Sequence, residues 1–141
     1  MTKKKYPKQE SEAFWNKELS QDAYRVLREK GTERPFSGKF NLHIDKGTYV
    51  CGACKTPLFS STQKFDSGCG WPSFDDANKD AVEFILDKSH GMIRTEAVCS
   101  NCGGHLGHLF NDGPTETGQR YCINSSSLSK KTFLKVNSNL P

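Results

Sequence analysis

Four of the six cysteines in this 141-residue chain form two Cys-x-x-Cys pairs, Cys51/Cys54 and Cys99/Cys102, with 44 residues between them. Each pair can clamp one edge of a tetrahedron, so the two together form a four-thiolate site with bonds of about 2.3 Å to zinc. Such a site is closed and leaves no position for water or substrate, so a metal here holds the fold and performs no reaction. Two turns far apart in sequence must therefore meet at one point. Structural zinc, one per chain, is the expected occupant, and iron is the alternative metal. The same residues read as redox-active dithiols would need a thioredoxin-like βαβ context, which neither pair opens. His105 follows Cys102 closely, but the four-cysteine set is complete without it, which leaves His105 and His108 available.

The chain is of single-domain length, with 34% hydrophobic and 11% aromatic residues to build one core. Residues 1–10 are expected to form a flexible basic tail and residues 11–141 a single zinc-containing domain. The net charge of +4 comes from 20 basic against 16 acidic residues, and Lys3, Lys4 and Lys5 supply much of the excess. Beyond them the charges are mixed, without the continuous basic stripe that phosphate-backbone binding needs, so nucleic acid is not an expected partner. No apolar run approaches the roughly 18 residues needed to span a bilayer. The lysine-rich start leads into Tyr6-Pro7-Lys8 rather than a hydrophobic signal core, so a cytoplasmic monomer is expected. Six cysteines could pair as disulfides in a secreted protein, but the absence of a signal core and the Cys-x-x-Cys spacing both favour metal.

Two short helices are expected first, over Ser11 to Leu19 and from a Ser20 cap through Lys30, with Gly31 as the stop. From Gly31 onward, frequent Gly, Pro, Ser and Asn with short strand-like runs indicate a mainly β domain. Strands are expected over Phe40 to Ile44 and Thr48 to Cys51, around an Asp45-Lys46-Gly47 turn. Others are expected at Leu58-Phe59, Lys64-Phe65, Val82 to Leu86 and Gly91 to Val98, with Gly68 to Phe74 an irregular aromatic loop.

With four cysteines assigned to metal, Cys69 and Cys122 remain. In an extended Arg120-Tyr121-Cys122-Ile123-Asn124 segment, alternation puts Arg120, Cys122 and Asn124 on one face and Tyr121 and Ile123 on the other. A guanidinium beside Cys122 would stabilise its thiolate, the nucleophilic form. An isolated cysteine on a strand is more often an inert core residue, so the reactive reading needs context. Cys69 is a candidate resolving thiol that would condense with a sulfenic acid on Cys122 if the fold brings the two together; otherwise it is a spare cysteine in a glycine turn. His105 and His108 suit proton donation, although loop histidines are more often structural. Trp71 offers an indole face for a methylthio group and Phe110 can line the same pocket; each is equally at home in a core.

Several longer motifs carry a resemblance. They are Gly31-Thr32-Glu33-Arg34-Pro35-Phe36-Ser37-Gly38, Ser67-Gly68-Cys69-Gly70-Trp71-Pro72-Ser73-Phe74, Ser89-His90-Gly91-Met92, His105-Leu106-Gly107-His108 and Arg120-Tyr121-Cys122-Ile123-Asn124-Ser125. In this order they resemble the methionine-R-sulfoxide reductases, often called type B, over about Ser20 to Leu128. The resemblance implies a tent-like zinc-containing fold of two coiled antiparallel sheets preceded by short helices. It also implies reduction of the R epimer of methionine sulfoxide, free or in proteins, as repair of oxidative damage. By motif position Cys122 is the nucleophile and Cys69 the resolving thiol, Trp71 packs on the substrate methyl, and His105, His108, Arg120 and Asn124 surround the sulfoxide and thiolate. A resolving cysteine implies recycling by thioredoxin. Ser126 stands where the family pattern suggests alanine, and the lysine- and serine-rich Ser129 to Lys135 departs from the usual ending. The rival reading is a non-enzymatic zinc-stabilised binding module, which has no need of Cys122 and its neighbours.

Overall fold

The computed structural model describes residues 6–42 and 46–131. Two helices come first, α1 (Glu12–Glu18) and α2 (Gln21–Leu27). Ser11 and Ser20 cap them, their hydroxyls accepting from the Phe14 and Ala23 N–H groups. Trp15, Val26 and Leu27 are buried on the inward faces. Nine strands follow: β1 (Thr48–Cys51), β2 (Pro57–Ser60), β3 (Lys64–Phe65), β4 (Ser73–Phe74), β5 (Val82–Asp87), β6 (Arg94–Cys99), β7 (His105–Phe110), β8 (Arg120–Ile123) and β9 (Leu128–Lys131). They form two sheets, one ordered β2-β1-β9 and one ordered β3-β4-β8-β7-β6-β5. All pairings are antiparallel. The expected architecture, mainly β with two antiparallel sheets behind short N-terminal helices, is what the chain adopts.

Aromatic rings join the sheets. Phe59 of β2 stacks on Phe74 of β4 at 4.3 Å, and Tyr49 of β1 meets the same ring edge-on at 5.2 Å. Tyr121 of β8 closes on Phe59 at 5.7 Å, so the small sheet and the large sheet share one core.

Three expected elements differ. The helix expected to run to Lys30 ends at Leu27. Lys30 takes a left-handed φ of 60°, and the Gly31 N–H turns back to the Arg25 carbonyl. The Arg28 guanidinium, just past the helix, donates to the Cys102 carbonyl. Phe40 to Leu42, the described part of an expected strand, is a turn. Both edges of β1 are already taken, by β2 and β9, and the Phe40 N–H is satisfied by the Ser125 hydroxyl. His43, Ile44 and Asp45 lie outside the described residues, as do Thr132 to Pro141. The strand expected from Gly91 begins at Arg94, because Ser89–Gly91 is a 3₁₀ turn with His90 at φ 58°.

Within the stretch expected as a tail, residues 1–5 are not described, while Tyr6 and Lys8 make defined contacts. The Tyr6 hydroxyl donates to Glu83, and the Lys8 N–H donates to the Asn101 carbonyl at the second cysteine turn. Among the described residues no helix is long and apolar enough to cross a membrane.

Phe59 is 2% exposed and touches rings from both sheets. Phe59→Ala should cost about 3–5 kcal/mol in urea unfolding, with a lowered midpoint and an unchanged slope.

Candidate active site and metal site

The two cysteine turns have the same construction. In the first, Cys51 N–H donates to the Thr56 carbonyl and Lys55 N–H donates back to the Cys51 carbonyl, with Lys55 at φ 66°. In the second, Cys99 N–H donates to the Gly104 carbonyl and Gly103 N–H donates back to the Cys99 carbonyl, with Gly103 at φ 76°. The second turn uses glycine at the left-handed position because the Tyr6 ring lies where a Cβ would go. The four sulfurs lie within 4.8 Å of one another, with Cys51 to Cys102 at 3.7 Å and Cys54 to Cys99 at 3.5 Å. A tetrahedral centre with 2.3 Å metal–sulfur bonds needs sulfur separations of about 3.8 Å, close to the two quoted, so the set could hold a metal ion.

A second constellation lies across the large sheet. The register places Ser73, Cys122, His108 and Glu96 opposite one another on β4, β8, β7 and β6, so their side chains share one face. On β8 the alternation is as expected, with Tyr121 and Ile123 buried beneath. His105 and His108 are three apart, a spacing that in a regular strand would put them on opposite faces. A bulge corrects this. Ala97 pairs with Gly107 and Val98 with His105, which leaves Leu106 as the extra residue and turns His105 onto the His108 side. The ring centroids are 5.6 Å apart. Gly107, between them, lies so close to β8 that a Cβ would collide with the Cys122 carbonyl oxygen.

Each histidine is held by a carboxylate that sequence reasoning did not single out. His105 Nδ1 is 2.7 Å from Glu96, and His108 Nε2 is 2.7 Å from Asp87. Lys30 and Arg94 pair with these acids. Hydrogen bonding by His108 and by Ser89, helped by Lys30, holds the Asp87 carboxyl far below its usual range. Burial alone would raise Glu96, but His105 and Lys30 outweigh it and keep its carboxyl below the usual range. Burial, aided by Arg94, pushes the His108 imidazole below its ordinary value, against the opposing pull of Asp87. No alternation signal marks these acids: in β5 the apolar Phe84 and Leu86 are exposed while Asp87 is buried, and β6 buries Glu96 to Cys99 without alternating.

Cys69 and Cys122 meet, their sulfurs 3.6 Å apart as free thiols. The Cys69 loop is fixed locally: its N–H donates to the Ser67 hydroxyl, and its sulfur lies 3.4 Å from the Ser73 hydroxyl. Trp71, Phe110, His108, Cys122 and Asn124, with Thr32, Arg94 and Gly107, line a cavity of about 100 Å³. The Trp71 indole N–H donates to the Glu33 carbonyl, which fixes the ring against the opening. Asn124 is buried: its amide oxygen accepts from the Glu33 N–H and its amino group donates to the Leu106 carbonyl. Glu33, also missed from sequence, anchors this corner with a carboxylate that accepts from the Ser125 and Ser126 N–H groups.

Arg120 acts to lower the Cys122 thiol, the expected direction, but its guanidinium is engaged elsewhere as well. Its guanidinium makes two hydrogen bonds to Asp112, at 2.8 and 3.1 Å, and lies over the Phe110 ring. Burial, reinforced by the adjacent Cys69, pushes the Cys122 thiol up to about 12, and Arg120 only partly opposes this. Burial also acts to raise Cys69, but hydrogen bonds from Ser67 and Ser73 outweigh it and hold that thiol below its ordinary value.

The SelR domain matches residues 19–132, a span that includes both the sulfur cluster and the cavity. This chain belongs to the SelR family. It is 58% identical over 124 residues to a protein of Leptospira interrogans, covering 87% of this chain and 95% of that relative. It is 59% identical over 120 residues to one of Thiobacillus denitrificans, covering 84% and 91%. With one of Methanosarcina barkeri it shares 56% over 125 residues, 88% of each chain. All three relatives bear the name peptide methionine sulfoxide reductase MsrB, in agreement with the resemblance carried by the SelR motifs.

Thiolate is the form that alkylates. In the substrate-free SelR chain at pH 7, iodoacetamide should therefore label Cys69 before Cys122. Labelling of Cys122, followed by peptide mass spectrometry in the Cys69→Ser chain, should still be rising steeply above pH 9. Equal labelling of both thiols at pH 7 would contradict the acidity order.

Proposed function

We propose that this chain reduces methionine-R-sulfoxide, in oxidised proteins or free, to methionine, as the names of its relatives indicate for that class of reaction. The observation that carries the reading is the pair of free sulfurs 3.6 Å apart, with Cys122 in the wall of a small cavity that also presents Trp71 and His108. Trp71 takes the substrate methyl group against its indole face, and Phe110 lines the opposite side.

The Cys122 sulfur attacks the sulfoxide sulfur as thiolate. Since burial disfavours that anion in the free chain, proton loss accompanies substrate entry, with the charge passing to the sulfoxide oxygen. His108, backed by Asp87, and His105, backed by Glu96, supply protons to that oxygen, directly or through water. As the substrate's sulfur–oxygen bond breaks, its protonated oxygen is transferred to the Cys122 sulfur; the sulfoxide sulfur gains the two electrons that Cys122 loses, methionine leaves, and Cys122 remains as sulfenic acid. Cys69 then displaces hydroxide from the Cys122 sulfur, releasing water and forming the Cys69–Cys122 disulfide. Thioredoxin, a dithiol, reduces this bond and is itself oxidised. Asn124 and Arg120 hold the walls of the site through Glu33 and Asp112.

Cys51, Cys54, Cys99 and Cys102 hold zinc, which supplies no reaction step and closes the fold around the site. The protein works as a cytoplasmic monomer.

Single turnover without external reductant tests the reaction: about one methionine per chain from the R epimer alone, with two thiols lost. No methionine from either epimer would refute the reductase reading. Cys122→Ser should abolish methionine formation. Cys69→Ser should keep the first turnover and lose thioredoxin-driven cycling, and normal cycling in that variant would remove Cys69 from the resolving role. Structural zinc contributes about 10–16 kcal/mol in small metal-folded domains, as much as a whole domain's stability, so a strong chelator should abolish the cooperative thermal transition. Tm unchanged after verified metal loss would show that the sulfur site is dispensable to the fold.

A further inference from the structure

Lys30 lies three residues beyond the end of α2, although the sequence places it within that helix. Its ammonium lies 3.1 Å from Glu96 Oε1 and 3.5 Å from Asp87 Oδ1. The other oxygens of those carboxylates are the ones that hold the two imidazoles, Glu96 Oε2 on His105 and Asp87 Oδ2 on His108. One lysine therefore bridges two separate carboxylate–histidine pairs. The backbone is bent to put it there: φ is 60°, a conformation that a non-glycine residue keeps only when its surroundings impose it. Three residues further on, the buried Glu33 is tied to the Ser125 and Ser126 N–H groups, so the segment is fastened at both ends.

We propose that Lys30 is a positioning residue for both histidines: by drawing Asp87 and Glu96 together it fixes the two imidazoles, each with its other ring nitrogen making no hydrogen bond among the described residues. Lys30 is not among the residues lining the cavity, so it acts through its neighbours and not by touching substrate. The inference deepens the reductase reading and rests on it for the catalytic consequence.

The charges facing His108 are Asp87 on β5, Arg94 and Glu96 on β6, His105 on its own strand, the Cys122 thiol on β8, and Lys30 behind the acids. Two carboxylates are balanced by Lys30 and Arg94, so the His108 imidazole needs no charge of its own. Without the ammonium, two carboxylates face a single cation and protonation of His108 becomes easier. Removing one partly exposed charge at this range should raise the His108 titration by roughly half to one pH unit.

The experiment uses the full chain with its metal site loaded, comparing wild type with Lys30→Met, Lys30→Gly and Lys30→Arg. Glycine relieves the left-handed backbone while removing the ammonium, and so separates charge from strain. Two readouts are taken: the single-turnover rate on a methionine-R-sulfoxide peptide over a range of concentrations, and the His108 ring titration by NMR. The Met and Gly variants should lose roughly fivefold or more in maximal rate, with little change in the half-saturating peptide concentration, and should show the raised titration. Arginine should recover most of both. A rate loss with unmoved titration would assign Lys30 to packing and overturn the proposal, as would wild-type behaviour of Lys30→Met. If wild type itself yields no methionine, the reductase reading falls, while the titration still decides whether the clamp exists.

Discussion

The four-sulfur cluster is the constraint on which the rest of the molecule depends. It joins the end of β1 to the end of β6, elements from different sheets, and β7 starts three residues beyond Cys102. Both histidines are on β7, and Cys122 is on the strand that pairs with it. Positioning one end of β7 therefore positions the reactive row, while the aromatic contacts among Tyr49, Phe59, Phe74 and Tyr121 keep the two sheets from sliding. On the proposed reading, the sulfur cluster can thus be remote from the chemistry and still define where it occurs.

Much of this was legible because its signals are local. The Cys-x-x-Cys spacing picked out the four sulfurs that cluster, and period-two alternation placed Cys122 above a buried Tyr121 and Ile123. The remainder depends on long-range pairing. Nothing in His105-Leu106-Gly107-His108 announces a bulge at Leu106, yet without it the two rings would be on opposite faces. Asp87, Glu96 and Glu33 look like ordinary acids until the sheet and the N-terminal segment converge on them. Phe40 to Leu42 reads as a strand by composition, but a strand needs a free neighbour edge, and β1 had given both of its edges to β2 and β9.

The buried charge arrangement explains how polar groups persist in so closed a site. Asp87 and Glu96 are almost wholly buried, and each accepts from a histidine and pairs with a cation. Burial without those partners would neutralise the acids and free the imidazoles to rotate. Cys122 lacks comparable compensation: Arg120 also pairs with Asp112 and only partly offsets burial, so the anion is disfavoured at Cys122 in the substrate-free chain. On the proposed reading, an empty site that keeps its nucleophile protonated is less exposed to peroxide.

The separation of 3.6 Å between Cys69 and Cys122 also has a kinetic meaning. Closing it to a covalent bond of about 2.05 Å is a movement of roughly 1.5 Å, of the size that side-chain rotation supplies. Rotamer motions occur in picoseconds to nanoseconds, whereas loop rearrangements take nanoseconds to microseconds and longer. Trapping of a sulfenic acid on Cys122 would then be limited by bond-making and proton transfer, with no conformational search interposed, and the oxidised intermediate would have little time to meet a second molecule of oxidant.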